Sequence, residues 1–388
     1  MLLLYQLTEE QEMLQQTVRR LAEEKVAPRA AEIDEKDEYP WDLKELFGQQ
    51  ELLGLGVPEV YGGTGFGLPS VCLAVEEVAR YSGSAALIIA TQELGLMPIL
   101  VAASEEQKKR YLPRVASGEH LIAFALTEPD AGSDAGSMKS TARRDKDKYI
   151  LNGSKCFITN GGLADVYTVF AKTDPAKGLK GISAFIMEKD TPGFTVGKKE
   201  KKMGIRGSMT CELSFENCPI PAENLLGKEG EGFKYAMMTL DRTRPVIGAQ
   251  ALGLAQGALD YAVRYAKERV QFGKPIAAFQ GLQFMMADMV TRVEAARQLV
   301  YKAANLIEGA AENNTSMNEI SIFSSMSKLF ASDTAMQVTV DALQILGGYG
   351  YMKDYPLERM VRDAKITQIY EGTNQIQRVV IAKCLLDR

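Results

Sequence analysis

The sequence predicts an α+β protein of several domains: an N-terminal helical domain over 1–120, a middle antiparallel β-domain over 121–240 and a C-terminal helical bundle over 241–388. Three observations carry this. The 388 residues, 46% hydrophobic and 24% charged, supply two or three domains with ample apolar material. Apolar residues recur at helical spacing at both ends of the chain. The central third breaks into short β-type runs between turn residues, and without helix-length segments between them a doubly wound parallel sheet is disfavoured.

Taken in order, Leu14, Val18 and Leu21 share one face of a segment rich in Glu, Gln and Arg, and Leu43, Leu46 and Phe47 repeat the pattern after Tyr39-Pro40. Gly54-Leu55-Gly56-Val57-Pro58 and Tyr61-Gly62-Gly63-Thr64-Gly65 read as loops. In the middle, Tyr149-Ile150-Leu151 leads into Asn152-Gly153, a hairpin-type turn, and 166–170 and 182–186 are further strands. In the last third, 249–269 consists of good helix formers, and Leu282, Met285, Met286, Met289 and Val293 form a helical stripe read as bundle core.

Charge and composition exclude several functions. With 45 Lys+Arg against 50 Asp+Glu and a net charge of -5, there is no basic footprint for nucleic acid. The single histidine, His120, cannot supply a multi-histidine zinc or iron site, so no metal is expected and acid/base work falls to a carboxylate. His120 sits beside Gly118-Glu119 with no G-x-S-x-G elbow in the chain, and reads as a non-catalytic loop residue. Cys72, Cys156, Cys211, Cys218 and Cys384 are odd in number and form no C-x-x-C pair, as buried thiols in a reducing compartment would be. Residues 1–6 are apolar but lack a basic n-region, so they are not read as a signal peptide. No apolar run is read as approaching the roughly 20 residues of a spanning helix, so a cytoplasmic protein without membrane insertion is expected.

Rossmann and Walker signatures are missing. Two segments remain. In Phe124-Ala125-Leu126-Thr127-Glu128-Pro129-Asp130-Ala131-Gly132-Ser133-Asp134, a β-type run gives way to small and hydroxyl residues; alone, this is either a decorated turn or a ligand edge. In Ile369-Tyr370-Glu371-Gly372-Thr373-Asn374-Gln375, a carboxylate stands between an aromatic and a glycine before a helix. It is either a solvated turn or a desolvated general base.

Taken together with other motifs, these segments resemble the acyl-CoA dehydrogenase family along essentially the whole chain. The matching motifs are Val57-Pro58-Glu59-Val60-Tyr61-Gly62-Gly63, the stretch 125–134, Asn152-Gly153-Ser154-Lys155, Ile158-Thr159-Asn160-Gly161, Ala249-Gln250-Ala251-Leu252-Gly253, the stretch 269–273, Gln344-Ile345-Leu346-Gly347-Gly348-Tyr349-Gly350 and Tyr370-Glu371-Gly372-Thr373. The resemblance implies an α, β, α order ending in a four-helix bundle. It also implies FAD as cofactor, an acyl-CoA substrate oxidised at its α,β carbons, electron-transfer flavoprotein as acceptor, and a homo-oligomer, most commonly a tetramer. By position the base is Glu371, and Thr243 stands where other members carry the base.

Residue by residue, the resemblance lays Phe124, Leu126, Thr127 and Ser133 along the flavin, with Ser133 near phosphate or CoA. Phe157, Ile158 and Thr159 match the segment packing on the ring system, where the family more often has Trp at the first position. Arg269, Gln271, Phe272, Gln280, Gln344, Ile345, Gly347 and Gly348 match contacts to the ADP half of a neighbouring subunit's FAD. Thr373 and Gln375 match FAD contacts, and Tyr370 and Gly372 substrate contacts. Asp241 and Arg244 match a pair that orients CoA, although for Asp241 a surface ion pair or a helix start stays open.

For the acyl group, Gly248 stands where short-chain members usually have Ala, and is expected to widen the pocket by about a methyl group. Thr91-Gln92-Glu93-Leu94-Gly95 falls on the helix closing the far end of that pocket, with Glu93 alternatively an exposed helix residue. A short or compact acyl chain, linear, branched or cyclic, is expected. An oxygen-using oxidase of the same fold and a flavin-binding protein without dehydrogenase activity are the alternatives.

Overall fold

The computed structural model describes residues 7–386, so residues 1–6 lie outside it. The first helix, α1 (Glu9–Leu21), starts at a capping box: the Thr8 hydroxyl accepts from the Gln11 amide and the Gln11 side chain accepts from the Thr8 amide. Val18 is buried, with Leu14 and Leu21 packed beside it. There follow α2 (Ala30–Lys36), α3 (Trp41–Gln49), α4 (Gly67–Ala79), α5 (Gly83–Ala102) and α6 (Glu105–Ala116). α3 buries Leu43 and Phe47, as its spacing predicts.

Helix α5 corrects one expectation. Its 20 residues are long and apolar enough to cross a membrane by length and composition. It is a core helix instead, packed against α4, the later helix α7 (Gly232–Glu268) and strand β1 (Ile122–Ala125). The polar Gln92-Glu93 step hides its overall apolar character from a run-based reading.

Among the described residues, the middle of the chain forms one eight-stranded sheet from β1, β2 (Thr141–Asp145), β3 (Lys148–Thr159), β4 (Val166–Lys172), β5 (Ile182–Glu188), β6 (Phe194–Lys199), β7 (Thr210–Pro221) and β8 (Leu225–Leu226). The order is β6-β7-β3-β2-β4-β5-β8, with β1 on β4. Pairing is antiparallel except that β1 and β2 run parallel to β4, so the sheet is mixed. Asn152-Gly153 is not a turn: β3 runs straight through it, with a register break between Leu151 and Gly153 against β7. The β2–β3 hairpin turns at Lys146-Asp147, where Lys146 takes φ 56°. A polar Asn-Gly pair serves a β-bulge as readily as a turn.

α7 begins inside the stretch assigned above to the β-domain and continues through Pro245. The tip of the hairpin β9 (Val270–Gln271) and β10 (Lys274–Pro275) is Phe272-Gly273, both left-handed. Helices α8 (Gln280–Glu308), α9 (Met317–Leu346), α10 (Leu357–Thr367) and α11 (Asn374–Leu386) complete the chain, and α9 packs against α7, α8, α10 and α11. In the methionine stripe, Met289 and Val293 are buried while Leu282, Met285 and Met286 are half-buried.

Candidate active site

A cavity of about 340 Å³ opens where α5, the edges of β1 and β3, α7 and the turn before α11 meet. After β1 the chain is pinned at successive residues. The Leu126 carbonyl accepts from Lys155 Nζ at 2.9 Å, and the Thr127 carbonyl from the Cys156 amide at 3.0 Å. Glu128 Oε1 takes the same Lys155 ammonium at 2.8 Å, with both side chains buried. Burial pushes Lys155 down to about 8 against the opposing pull of Glu128. Pinned from behind, this segment presents Phe124, Leu126, Thr127 and Ser133 to the cavity.

The next wall comes from β3. Its pairing with β7 breaks between Lys155 and Ile158, and Phe157 is left-handed at φ 57° with its ring 65% exposed. A bulky residue there costs of order 1 kcal/mol and persists only where its surroundings impose it. Phe157, Ile158 and Thr159 all line the cavity. Apolar lining continues with Leu87, Ala90 and Leu94 from α5 and Phe233, Met237, Leu240 and Ile247 from α7, and Thr91 lies among them.

The charged groups enter from α7 and the last turn. Arg244 lines the cavity, bonded to Asp241 at 2.6 Å, and Asp241 Oδ2 accepts from Ser321 at 2.6 Å. Both are buried, which excludes the surface-pair reading of Asp241, although Asp241 itself stands behind Arg244. Burial raises the Asp241 carboxyl, opposed by Arg244 and Ser321. The buried Nε of Arg244 has no hydrogen-bond partner among the described residues.

Tyr370, Glu371 and Gly372 line the cavity together. Glu371 and Gly372 are successive left-handed residues, φ 52° and 91°. Tyr370 donates its hydroxyl to Gln250. Glu371 Oε2 accepts from Thr243 Oγ1 at 2.7 Å. Burial lifts the Glu371 carboxyl to about 7, and the Thr243 hydroxyl, Arg244 and Lys328 hold it from rising further. Glu371 is half-buried at the wall of a mainly apolar cavity, which favours the desolvated reading of this turn over the solvated one.

Other expected residues lie elsewhere. Gly248 does not widen this cavity, because a Cβ there would meet Val300 Cγ2 at 2.9 Å and the Ser327 carbonyl at 3.4 Å, inside the helical bundle. Glu93 is neither exposed nor in the cavity; it is 3% exposed and faces Gly56, where any Cβ would collide with its carboxyl. The Thr373 hydroxyl accepts from the Ile376 amide at 3.3 Å at the start of α11, and Gln375 is exposed outside the cavity. Arg269, Gln271, Phe272, Gln344, Ile345, Gly347 and Gly348 gather at a separate surface depression, with the Arg269 guanidinium 5.2 Å over the Tyr349 ring; Gln280 opens α8 just outside it. Sequence reasoning missed Lys328, a buried lysine on α9 whose surroundings carry no motif.

Comparison with known proteins identifies the family. Models of the acyl-CoA dehydrogenase N-terminal, middle and C-terminal domains match residues 8–119, 123–218 and 230–386. An acyl-CoA dehydrogenase of Bacillus subtilis is 55% identical over 98% of both chains. A cyclohex-1-ene-1-carbonyl-CoA dehydrogenase of Geobacter metallireducens is 52% identical over 98% of this chain and 99% of its own. The solved structure of butyryl-CoA dehydrogenase from Megasphaera elsdenii superposes with a TM-score of 0.95 at 47% identity, covering 98% of this chain and 99% of that one. Fold and matches define a three-domain oxidoreductase of the flavoprotein type. The chain belongs to the acyl-CoA dehydrogenase family.

Proposed function

We propose that the protein dehydrogenates a short or compact acyl-CoA thioester, with Glu371 as the base that removes the α-proton. The observation that carries this reading is the Glu371 carboxyl at the cavity wall, raised by burial to about 7. A base matched to neutral pH is half-ionised there and binds the abstracted proton strongly.

The residues present fit FAD, the cofactor of the family. Leu126 and Ile158 offer apolar wall to a flat ring, the Thr127 and Thr159 hydroxyls suit its polar edge, and the left-handed Phe157 covers the rim. Arg269, Gln271, Gln344, Gly347 and Gly348 suit the ADP half of a neighbouring subunit's cofactor, with Phe272, Gln280, Ile345, Thr373 and Gln375 as further contacts, which makes a homo-oligomer, a tetramer by family analogy, part of the site. Bound there, FAD supplies the acceptor for the β-hydrogen as hydride.

The chain's own residues do the rest. Arg244, backed by Asp241, offers its guanidinium charge to the CoA thioester's polar portion, with Ser133 nearby on the rim. Leu94, Met237, Leu240 and Ile247 exclude water from the acyl chain, and Thr91 adds one hydroxyl to that wall. Glu371 takes the α-proton onto its carboxylate while Tyr370 and Gly372 border the acyl group. Electron-transfer flavoprotein is the acceptor that the family resemblance implies. The compact-chain reading is supported by relatives named for butyryl-CoA and a cyclohexene thioester.

The test is anaerobic mixing of the FAD-loaded protein with butyryl-CoA, octanoyl-CoA and cyclohexanecarbonyl-CoA while flavin absorbance is followed. Bleaching fastest with butyryl- or cyclohexanecarbonyl-CoA is expected. A clear octanoyl preference contradicts the compact pocket, and bleaching of Glu371→Gln at the wild-type rate contradicts the base.

A further inference from the structure

Lys328 is fully buried on α9, an expensive place for an ammonium group unless its surroundings use it. Its Nζ donates to the Gly372 carbonyl at 2.8 Å and to Asn374 Oδ1 at 2.9 Å. Asn374 in turn donates to Ser332 at 2.9 Å and Asp333 at 2.7 Å, so the start of α11 is tied to α9 through this lysine. Gln377 holds the same turn from its other side, donating to the carbonyls of Glu371 at 3.2 Å and Gly372 at 2.9 Å.

The turn needs such ties. Glu371 and Gly372 are both left-handed, a sparsely populated pairing that persists only when neighbours impose it. A neutral donor could hold the Gly372 carbonyl equally well, so the charge calls for its own explanation. The charged groups facing Lys328 are Glu371, Arg244 of α7 and Asp333 of α9. Arg244 already has Asp241 as its partner.

We infer that Lys328 is a positioning residue for the proposed base: its Nζ fixes the Glu371-Gly372 turn against α9 and, when protonated, sets a positive charge near the Glu371 carboxyl. It makes no hydrogen bond to that carboxyl, so it leaves both oxygens available to Thr243 and to an α-proton. Burial lowers Lys328 to about 7 against the pull of Glu371, so its charge is present on the acid side of neutrality, where it favours the ionised form of Glu371, the form that accepts a proton. The inference rests on Glu371 being the base.

The test uses the full-length FAD-loaded protein, with kcat, KM and the pH dependence of kcat/KM measured on butyryl-CoA. Lys328→Met is expected to lower kcat by roughly 10- to 100-fold through misplacement of the base. Its KM should change far less, and the acid limb should move to higher pH by about one unit. Lys328→Arg, which restores the charge but replaces the compact ammonium by a longer, planar guanidinium, should return the limb toward wild type with kcat still lowered. A folded Lys328→Met with wild-type kcat and pH limb overturns the inference, as does a Lys328→Arg limb displaced as far as that of Met. Should Lys328→Met fail to fold, Asn374→Ala removes one acceptor and keeps the charge; lowered kcat with the limb in place supports the positioning role, and wild-type kcat overturns it. Glu371→Gln in the same assay separates the two readings. If it retains wild-type activity the base assignment fails, whereas an inactive Gln variant beside an unaltered Lys328→Met sinks the lysine's role alone.

Discussion

The hydroxyl of Thr243 should set the proton affinity of Glu371. Thr243 is 1% exposed and donates to Glu371 Oε2 at 2.7 Å, so replacing it by the isosteric Val removes that bond without opening a cavity. A hydrogen bond to a charged partner contributes about 1.5–3 kcal/mol net. At about 1.4 kcal/mol per pKa unit, its loss lifts the carboxyl by roughly one to two units. From a starting value of about 7, the acid limb of flavin reduction should therefore move well into the alkaline range in Thr243→Val. Thr243→Ser, which keeps the donor, should stay near wild type. The assay is the rate of anaerobic flavin bleaching by butyryl-CoA as a function of pH. An unmoved limb in Thr243→Val, or an equal displacement in Thr243→Ser, refutes the reasoning.

Other expectations follow from burial and packing. Glu93 is buried, one of its oxygens lacks a partner among the described residues, and its carboxyl is raised by burial from 4.5 to about 7. A carboxyl whose folded value lies above its unfolded one loses stability as pH rises between the two values. Glu93→Gln should therefore gain on wild type across that window, by up to about 3 kcal/mol above it, in urea titrations; no pH dependence of the gain contradicts this. Gly248→Ala should leave the butyryl-to-octanoyl rate ratio unchanged, because its Cβ would press on Val300 in the bundle, and a changed ratio would return Gly248 to the acyl pocket. Lys155→Met leaves the Glu128 carboxylate buried without its counter-ion. It should destabilise the protein by roughly 3–5 kcal/mol and lower its flavin content, read by denaturant midpoint and absorbance.

The amino-acid pattern made the architecture legible because its texture changes with the layer: helical spacing in α1 and α3, short runs in the sheet, and long Ala-rich stretches in α7. It misled where one residue pair serves two backbones. Asn152-Gly153 is a bulge because β7 continues to pair on both sides of it, and nothing local to β3 says so. The parallel β1–β4 pairing likewise depends on where β1 leaves α6. Glu371, Thr127 and Phe157 were legible from motifs, and the cavity unites them. Lys328 was not, because its meaning lies in contacts more than 40 positions away along the chain. Gly248 was misassigned for a related reason: a neighbour of the lining residue Ile247 points elsewhere, since successive residues on a helix project about 100° apart.

The most direct test of the account is whether Glu371 moves the α-proton, apart from any hydride step. In deuterated buffer, the FAD-loaded protein can be given a 3-thia-acyl-CoA, whose sulfur in place of the β-carbon leaves no hydride to transfer. Mass spectrometry then reads deuterium entering the α-position. The account predicts exchange by the wild-type protein and its fall by at least roughly 100-fold in Glu371→Gln. Undiminished exchange in a folded, flavin-loaded Glu371→Gln protein would contradict it.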